Sequence, residues 1–203
     1  MSTPLTRRII LAAAAGSLAR AALAAPPADW GRQLVAAART QLGVTTIYDP
    51  SYIQLAYPGG DFDRQRGVCT DVVVRAYRDA FGLDLQRLIH EDMARSFAAY
   101  PAKWGLAAPN ASIDHRRVPN MQVFFRRQRA ELPVSADNAA HQEGDLVTVK
   151  LPGNLDHIMI VTAASAAGER PLIIHNIGDG AQLEDRLFEF PHTGHYRYAP
   201  PGA

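Results

Sequence analysis

Three side chains in this sequence could perform covalent chemistry together: Cys69, His157 and His175. Cys69 is the only cysteine in 203 residues. It can make no internal disulfide, so it is either a small packed hydrophobe or a retained nucleophile. The run that it opens, "CTDVVVRAYRDAFG", reads as a helix. A helix start favours an anion, because its first N–H groups lack intrahelical partners and its dipole is positive there, so a thiol at that position is expected to ionise below its free value. Such a thiol works with an imidazole, which serves as general base and then as acid toward the leaving group. Of the seven histidines, His157 begins "HIMIVTA" and His175 lies inside "PLIIHNIG", two short β-branched runs with strand character.

Parity decides whether the two imidazoles can meet. Side chains alternate between the faces of a strand, so a hairpin joining the two runs puts the histidines on one face in every second register. One such register sets His157 opposite His175, Met159 opposite Ile173 and Val161 opposite Pro171. The two rings are then cross-strand neighbours, and one can hold the tautomer of the other as the third member of a triad does. In a register of the other parity they face apart, and Asn176 would supply the orienting carbonyl.

The elements that must position these groups follow from periodicity. Asp29 to Leu42 places Leu34, Val35, Ala38 and Leu42 at helical spacing, with Gly43 as terminator. In the helix opened by Cys69, the stripe is Val72, Val73, Ala76, Tyr77 and Ala80, and Gly82 closes it. Another helix is expected from Asp84 to about Tyr100, and Asn120 is a candidate cap for a short helix through Arg129. The last third reads as strands: "GDLVTVKL", "HIMIVTA", "PLIIHNIG", "EDRLFEF" and "GHYRYA". Helices first, then strands with short connections, predict an α+β domain in which an antiparallel sheet packs on helices.

Composition narrows the setting. With 21 basic and 20 acidic residues there is no charge excess to suggest nucleic acid or a membrane surface as partner. Residues 1–25 combine Arg7 and Arg8, an apolar run too short to span a bilayer, and Ala22-Leu23-Ala24. This is the layout of a cleaved export signal, and the arginine pair set directly against the apolar run resembles the twin-arginine type. Residues 26–203 are then expected to form one domain in the periplasm or another exported location, without stable membrane insertion.

A cysteine at a helix start after a loop bearing tyrosines and glycines, then "GDLV", "HIMIV" and "IIH", resembles the NlpC-type cell-wall peptidases of the papain-like superfamily. More narrowly, "YDPSY", "GVCTDVVVRAYR", "IDHRRVPN", "DHIMIV" and "HNIG" resemble the YijF-like exported family of unknown function. The superfamily resemblance implies a papain-like single domain that cleaves an amide in peptidoglycan or a cell-envelope peptide without a cofactor. Cys69 would be nucleophile, His157 base and His175 orienting group. The same fold also implies two alternatives, a catalytically inactive cell-wall binding module and a thiol acyltransferase. Tyr57, in "AYPGGD", stands where many superfamily members carry a tyrosine near the oxyanion, and Tyr48 is its rival. The Cys69 N–H is the other expected donor. The superfamily's Ser-Gly after the nucleophile is replaced by Thr70-Asp71, which puts a carboxylate where it suits the helix dipole but opposes a thiolate.

Other residues carry weaker signals. Arg116 and Arg117, with Arg126, Arg127 and Arg129, read either as a solvated face or as an anion clamp for peptide carboxylates. His115 is either solvent-facing or a substrate contact. Cys69, His157 and His175 could in principle ligate zinc, but no close His or Cys spacing supports a metal site. Asp179, Glu184 and Asp185 do not match a calcium loop and read as a turn with an edge strand.

Overall fold

A computed structural model describes residues 28–164 and 169–200. The expected export signal lies outside them. Among the described residues are four α-helices, α1 (Trp30–Arg39), α2 (Cys69–Phe81), α3 (Leu85–Arg95) and α4 (Val118–Arg127). A six-stranded antiparallel sheet is built from β3 (Glu131–Leu132), β4 (Leu146–Leu151), β5 (Leu155–Val161), β6 (Ile173–Asn176), β7 (Ala181–Glu184) and β8 (His192–Tyr196), in the order β3-β8-β4-β5-β6-β7. A separate two-residue parallel ladder joins β1 (Ile47–Tyr48) to β2 (Arg66–Gly67).

The helical stripes bury as their spacing predicts. Leu34, Val35 and Ala38 of α1 and Val72, Val73, Ala76 and Tyr77 of α2 join Leu146, Ile158, Ile160, Ile174 and Tyr196 in one apolar core. Gly82 takes the left-handed conformation that ends α2, with its N–H bonded to Arg78 O and the Leu83 N–H to Tyr77 O. Alternate strand residues, Val147, Val149, Met159, Val161 and Ile173, build a second core on the opposite face of the sheet, closed by Leu187, Phe188 and Phe190. Asp145, wholly buried at the entry to β4, accepts from His195 and Arg197 and so pins β8 to β4.

Four expectations need correction. The helix predicted to reach Tyr100 stops at Arg95 and is followed by a single 3-10 turn over Phe97–Ala99. Asn120 does not cap a helix but lies inside α4, buried, with its amide donating to Asp114 O, because Pro119 already serves the first turn. "EDRLFEF" is not a strand: pairing with β6 ends at Glu184, and the following apolar residues fold over the second core. The hairpin register keeps the parity required but is shifted, with Val161 opposite Ile173 and Ile160 opposite Ile174. That brings Met159 opposite His175, so the two histidines are diagonal rather than direct neighbours.

Candidate active site

Cys69 occupies the first turn of α2, and that turn is anchored from three sides. Asp71 accepts a hydrogen bond from the Val68 N–H at 2.8 Å, which fixes the entry to the helix. The guanidinium of Arg116 donates to both Asp71 oxygens and to the carbonyls of Asp49 and Ser51, tying the β1 loop to the helix start. Asn176, at the end of β6, donates to Gly67 O at 3.0 Å and ties the sheet to the residues just before the cysteine. Arg75, 1 % exposed, pairs with Asp61 and donates to Arg66 O, so the loop ahead of Cys69 is clamped onto α2 itself. Both Arg75 and Arg116 lie 5.0 Å from the ring of Phe62.

Cys69 lines a cleft of about 380 Å³, together with Tyr48, Trp104, Arg117, Leu155 and Asp156 among others. Cys69 is 5 % exposed. Burial pushes its thiol up to about 12, opposing the N–H groups of Ile158, Thr70 and Cys69 itself, which favour the anion, while the Asp71 carboxylate adds to the rise. This corrects the expectation of a lowered thiol: at this site desolvation outweighs the helix start. The Ile158 N–H belongs to the residue after His157, so the first turn of α2 meets the beginning of β5 at the sulfur.

His157 and His175 are brought together. His157 Nε2 and His175 Nδ1 are 2.8 Å apart, and His175 Nε2 lies 2.5 Å from Glu184 Oε2 on β7. An ionised carboxylate can only accept, so Glu184 takes the Nε2–H of His175. The Nδ1 of His175 then carries a lone pair and accepts the Nε2–H of His157, which leaves the lone pair of His157 on Nδ1. Burial, reinforced by His175 and Arg186, pushes His157 down to about 3. His175 is also lowered by burial, against the opposing pull of Glu184. The pair is therefore neutral at ordinary pH, with every proton position set from Glu184.

The remaining expected site residues separate clearly. Tyr48 lines the cleft, and its phenol is raised by burial and by the neighbouring Cys69 and Asp71. The ladder that places it pairs Tyr48 with Gly67, two residues before the cysteine. Tyr57 is elsewhere: it is exposed, and its ring packs edge-on against His90 of α3. Asn176 faces Gly67 rather than a histidine. Arg116 is neither a solvated side chain nor a free clamp, because Asp71 and two carbonyls occupy it. His115 is buried, pushed down to about 3 by desolvation, and is not part of the cleft lining. Arg117 does line the cleft, with its guanidinium 4.0 Å from the Trp104 ring centre. Trp104 is not singled out by the sequence, and Glu184 reads there only as part of a turn with an edge strand, with no role at the histidines. Glu184 becomes visible only through the β6–β7 register, which sets His175 opposite Gln182 and Glu184 opposite Ile173. Among the described residues, no group of three or more His, Cys, Asp or Glu side chains is arranged to hold a metal ion.

A mixed helix and sheet domain with a cysteine at a helix start and a carboxylate-anchored histidine pair is thus what the chain builds. Residues 35–198, which contain all of these groups, match the domain of unknown function DUF1287, and the chain belongs to that family. Over 161 residues it is 52 % identical to the uncharacterized protein YijF of Escherichia coli (strain K12), covering 79 % of this chain and 78 % of that protein.

The raised thiol and lowered imidazole give a pH signature. Because deprotonation speeds alkylation, the rate of Cys69 labelling by iodoacetamide, followed by mass spectrometry, is expected to climb through the neutral and alkaline range without a plateau below about pH 10. A preformed thiolate–imidazolium pair would instead give a plateau reaching down to roughly pH 4, as low-pKa cysteines do.

Proposed function

We propose that the protein is an exported cysteine hydrolase of papain-like, NlpC type that cleaves an amide bond in peptidoglycan or a related cell-envelope peptide. The observation that carries this reading is the chain Glu184–His175–His157, which ends at the start of β5 next to Ile158, the residue whose N–H favours the Cys69 thiolate. A structural cysteine needs no such relay.

In the proposed reaction the neutral thiol is activated as it attacks. His157 Nδ1 takes the proton while Sγ bonds to the carbonyl carbon, and the charge that develops on oxygen is met by the Tyr48 hydroxyl and the Cys69 N–H. Collapse breaks the C–N bond, and His157 returns the proton to the departing amine. Water, deprotonated by His157, then cleaves the thioester and releases the carboxylic acid. An amine in place of water would make the same intermediate a transferase. The burial and raised pKa of Cys69 favour one further reading, a scaffold that binds cell-wall peptides in this cleft without turnover.

Incubation of the mature protein with purified sacculi and defined muropeptides, with products identified by mass spectrometry, decides between these. New amine and carboxyl ends are expected. Cys69→Ala and His157→Ala should abolish them, whereas His175→Ala should lower the rate by ~10²- to 10⁴-fold. Glu184→Gln should fall between His175→Ala and the wild type. Retention on sacculi without products would replace hydrolysis by binding, and undiminished turnover by Cys69→Ala would remove the nucleophile.

The proposed location rests on residues 1–25 and is tested separately. Among the described residues no helix is long and apolar enough to cross a membrane. If Arg7 and Arg8 form a twin-arginine address, replacing both by lysine should leave the precursor in the cytoplasm, since the receptor reads the pair and not its charge. Undisturbed export of that double variant, read by fractionation, would assign the general secretory route instead.

A further inference from the structure

Most arginines around the site are committed. Arg116 is filled by Asp71 and two carbonyls, Arg75 by Asp61, and Arg127 by Asp92. Arg117 is different. Its Nη1 is buried and has no hydrogen-bond partner, and the residue lines the cleft that holds Cys69. The carboxylate that acts on it electrostatically, Asp114, is itself wholly buried and engaged by His90 at 2.9 Å. A buried guanidinium N–H without an acceptor is costly, so a partner supplied from outside would be bound strongly.

The surroundings define that partner's chemistry. Asp156, the acidic residue lining this cleft, is bracketed by Lys103 at 3.1 Å and Lys150 at 2.6 Å, and Asp71 is neutralised by Arg116, so even with Asp114 set against Arg117 the basic groups around the cleft outnumber the acidic ones. Trp104 backs the guanidinium, and Ile113, Val118, Pro119 and Leu155 supply apolar walls. Stacking on an indole covers a face of a guanidinium and leaves its in-plane N–H fork available, a shape that matches a planar carboxylate. The volume, about 380 Å³, suits a short peptide.

We propose that Arg117, held on Trp104, reads a free carboxylate of the peptide ligand and thereby sets which amide is presented to Cys69. The inference rests on the cleft being the ligand site around Cys69, and it adds the substrate class: short peptides with a free carboxylate, rather than amidated or uncharged ones.

Cys69 itself reports on this without turnover. The folded protein is labelled with N-ethylmaleimide, 3-maleimidopropionic acid or 2-maleimidoethanesulfonate, and each rate is normalised to that of N-acetylcysteine. The carboxylate reagent should be favoured over the neutral one by ~5- to 30-fold, the factor expected of one charge-assisted hydrogen-bonded pair. Arg117→Gln should remove the preference and Arg117→Lys retain part of it. As a second measurement on the wild type alone, acetyl-Ala-Ala with a free C-terminus should slow N-ethylmaleimide labelling, whereas its carboxamide should not. The proposal is overturned if the wild type shows no preference, if the sulfonate is favoured equally, if the preference survives in Arg117→Gln, or if no reagent reaches the thiol of the folded protein. Loss of the preference while Cys69-dependent cleavage of muropeptides persists would remove the carboxylate assignment and leave the hydrolase reading standing.

Discussion

An ionised carboxylate can only accept hydrogen bonds, and in this protein the proton positions of the site descend from that restriction at Glu184. The carboxylate fixes His175, His175 fixes His157, and the lone pair left over lands on His157 Nδ1. The chain depends on strand register, because β5, β6 and β7 each contribute one member. A slip of one residue in any of them would turn that member to the opposite face, so the sheet that forms the core also determines these proton positions.

The sulfur side of the site is held by charge as well as by its ties to the sheet through Asn176 and Ile158. Two buried arginines, Arg75 and Arg116, fasten the long segment between α1 and α2 onto the helix start, and both lie near the ring of Phe62. Thr70-Asp71 directly after the cysteine makes sense in this frame. Asp71 anchors the Val68 N–H and receives Arg116, so its charge is answered locally and its cost to a thiolate is offset by the order it gives to the β1 loop. The same loop carries Tyr48 into the cleft lining through the two-residue parallel ladder.

Local patterns showed the helix stripes, the strand character around both histidines and the place of Cys69, because each depends on residues close in sequence, whereas the parity of the pair stayed open between two registers until the strands were paired. What they did not show depends on distant partners. The choice of Tyr48 over Tyr57 turns on parallel pairing with Gly67, which no turn residue announces. Neither alternative that the sequence offers for Arg116 and His115, a solvated side chain or a ligand contact, includes their burial, because that burial comes from packing by other segments. Glu184 was read as part of a strand continuing through Phe190, whereas the chain leaves the sheet at Glu184 and spends Leu187, Phe188 and Phe190 on the second core. The thiol was expected to be acidified by its helix, and desolvation reversed the sign.

Nitrogen-15 NMR of the histidine-labelled protein near neutral pH measures the protonation of the histidine pair directly. His157 and His175 are expected to be both neutral and both to carry their proton on Nε2, with two unprotonated Nδ1 atoms. A proton on Nδ1 of His157, or a doubly protonated imidazolium at that residue, would contradict this pattern.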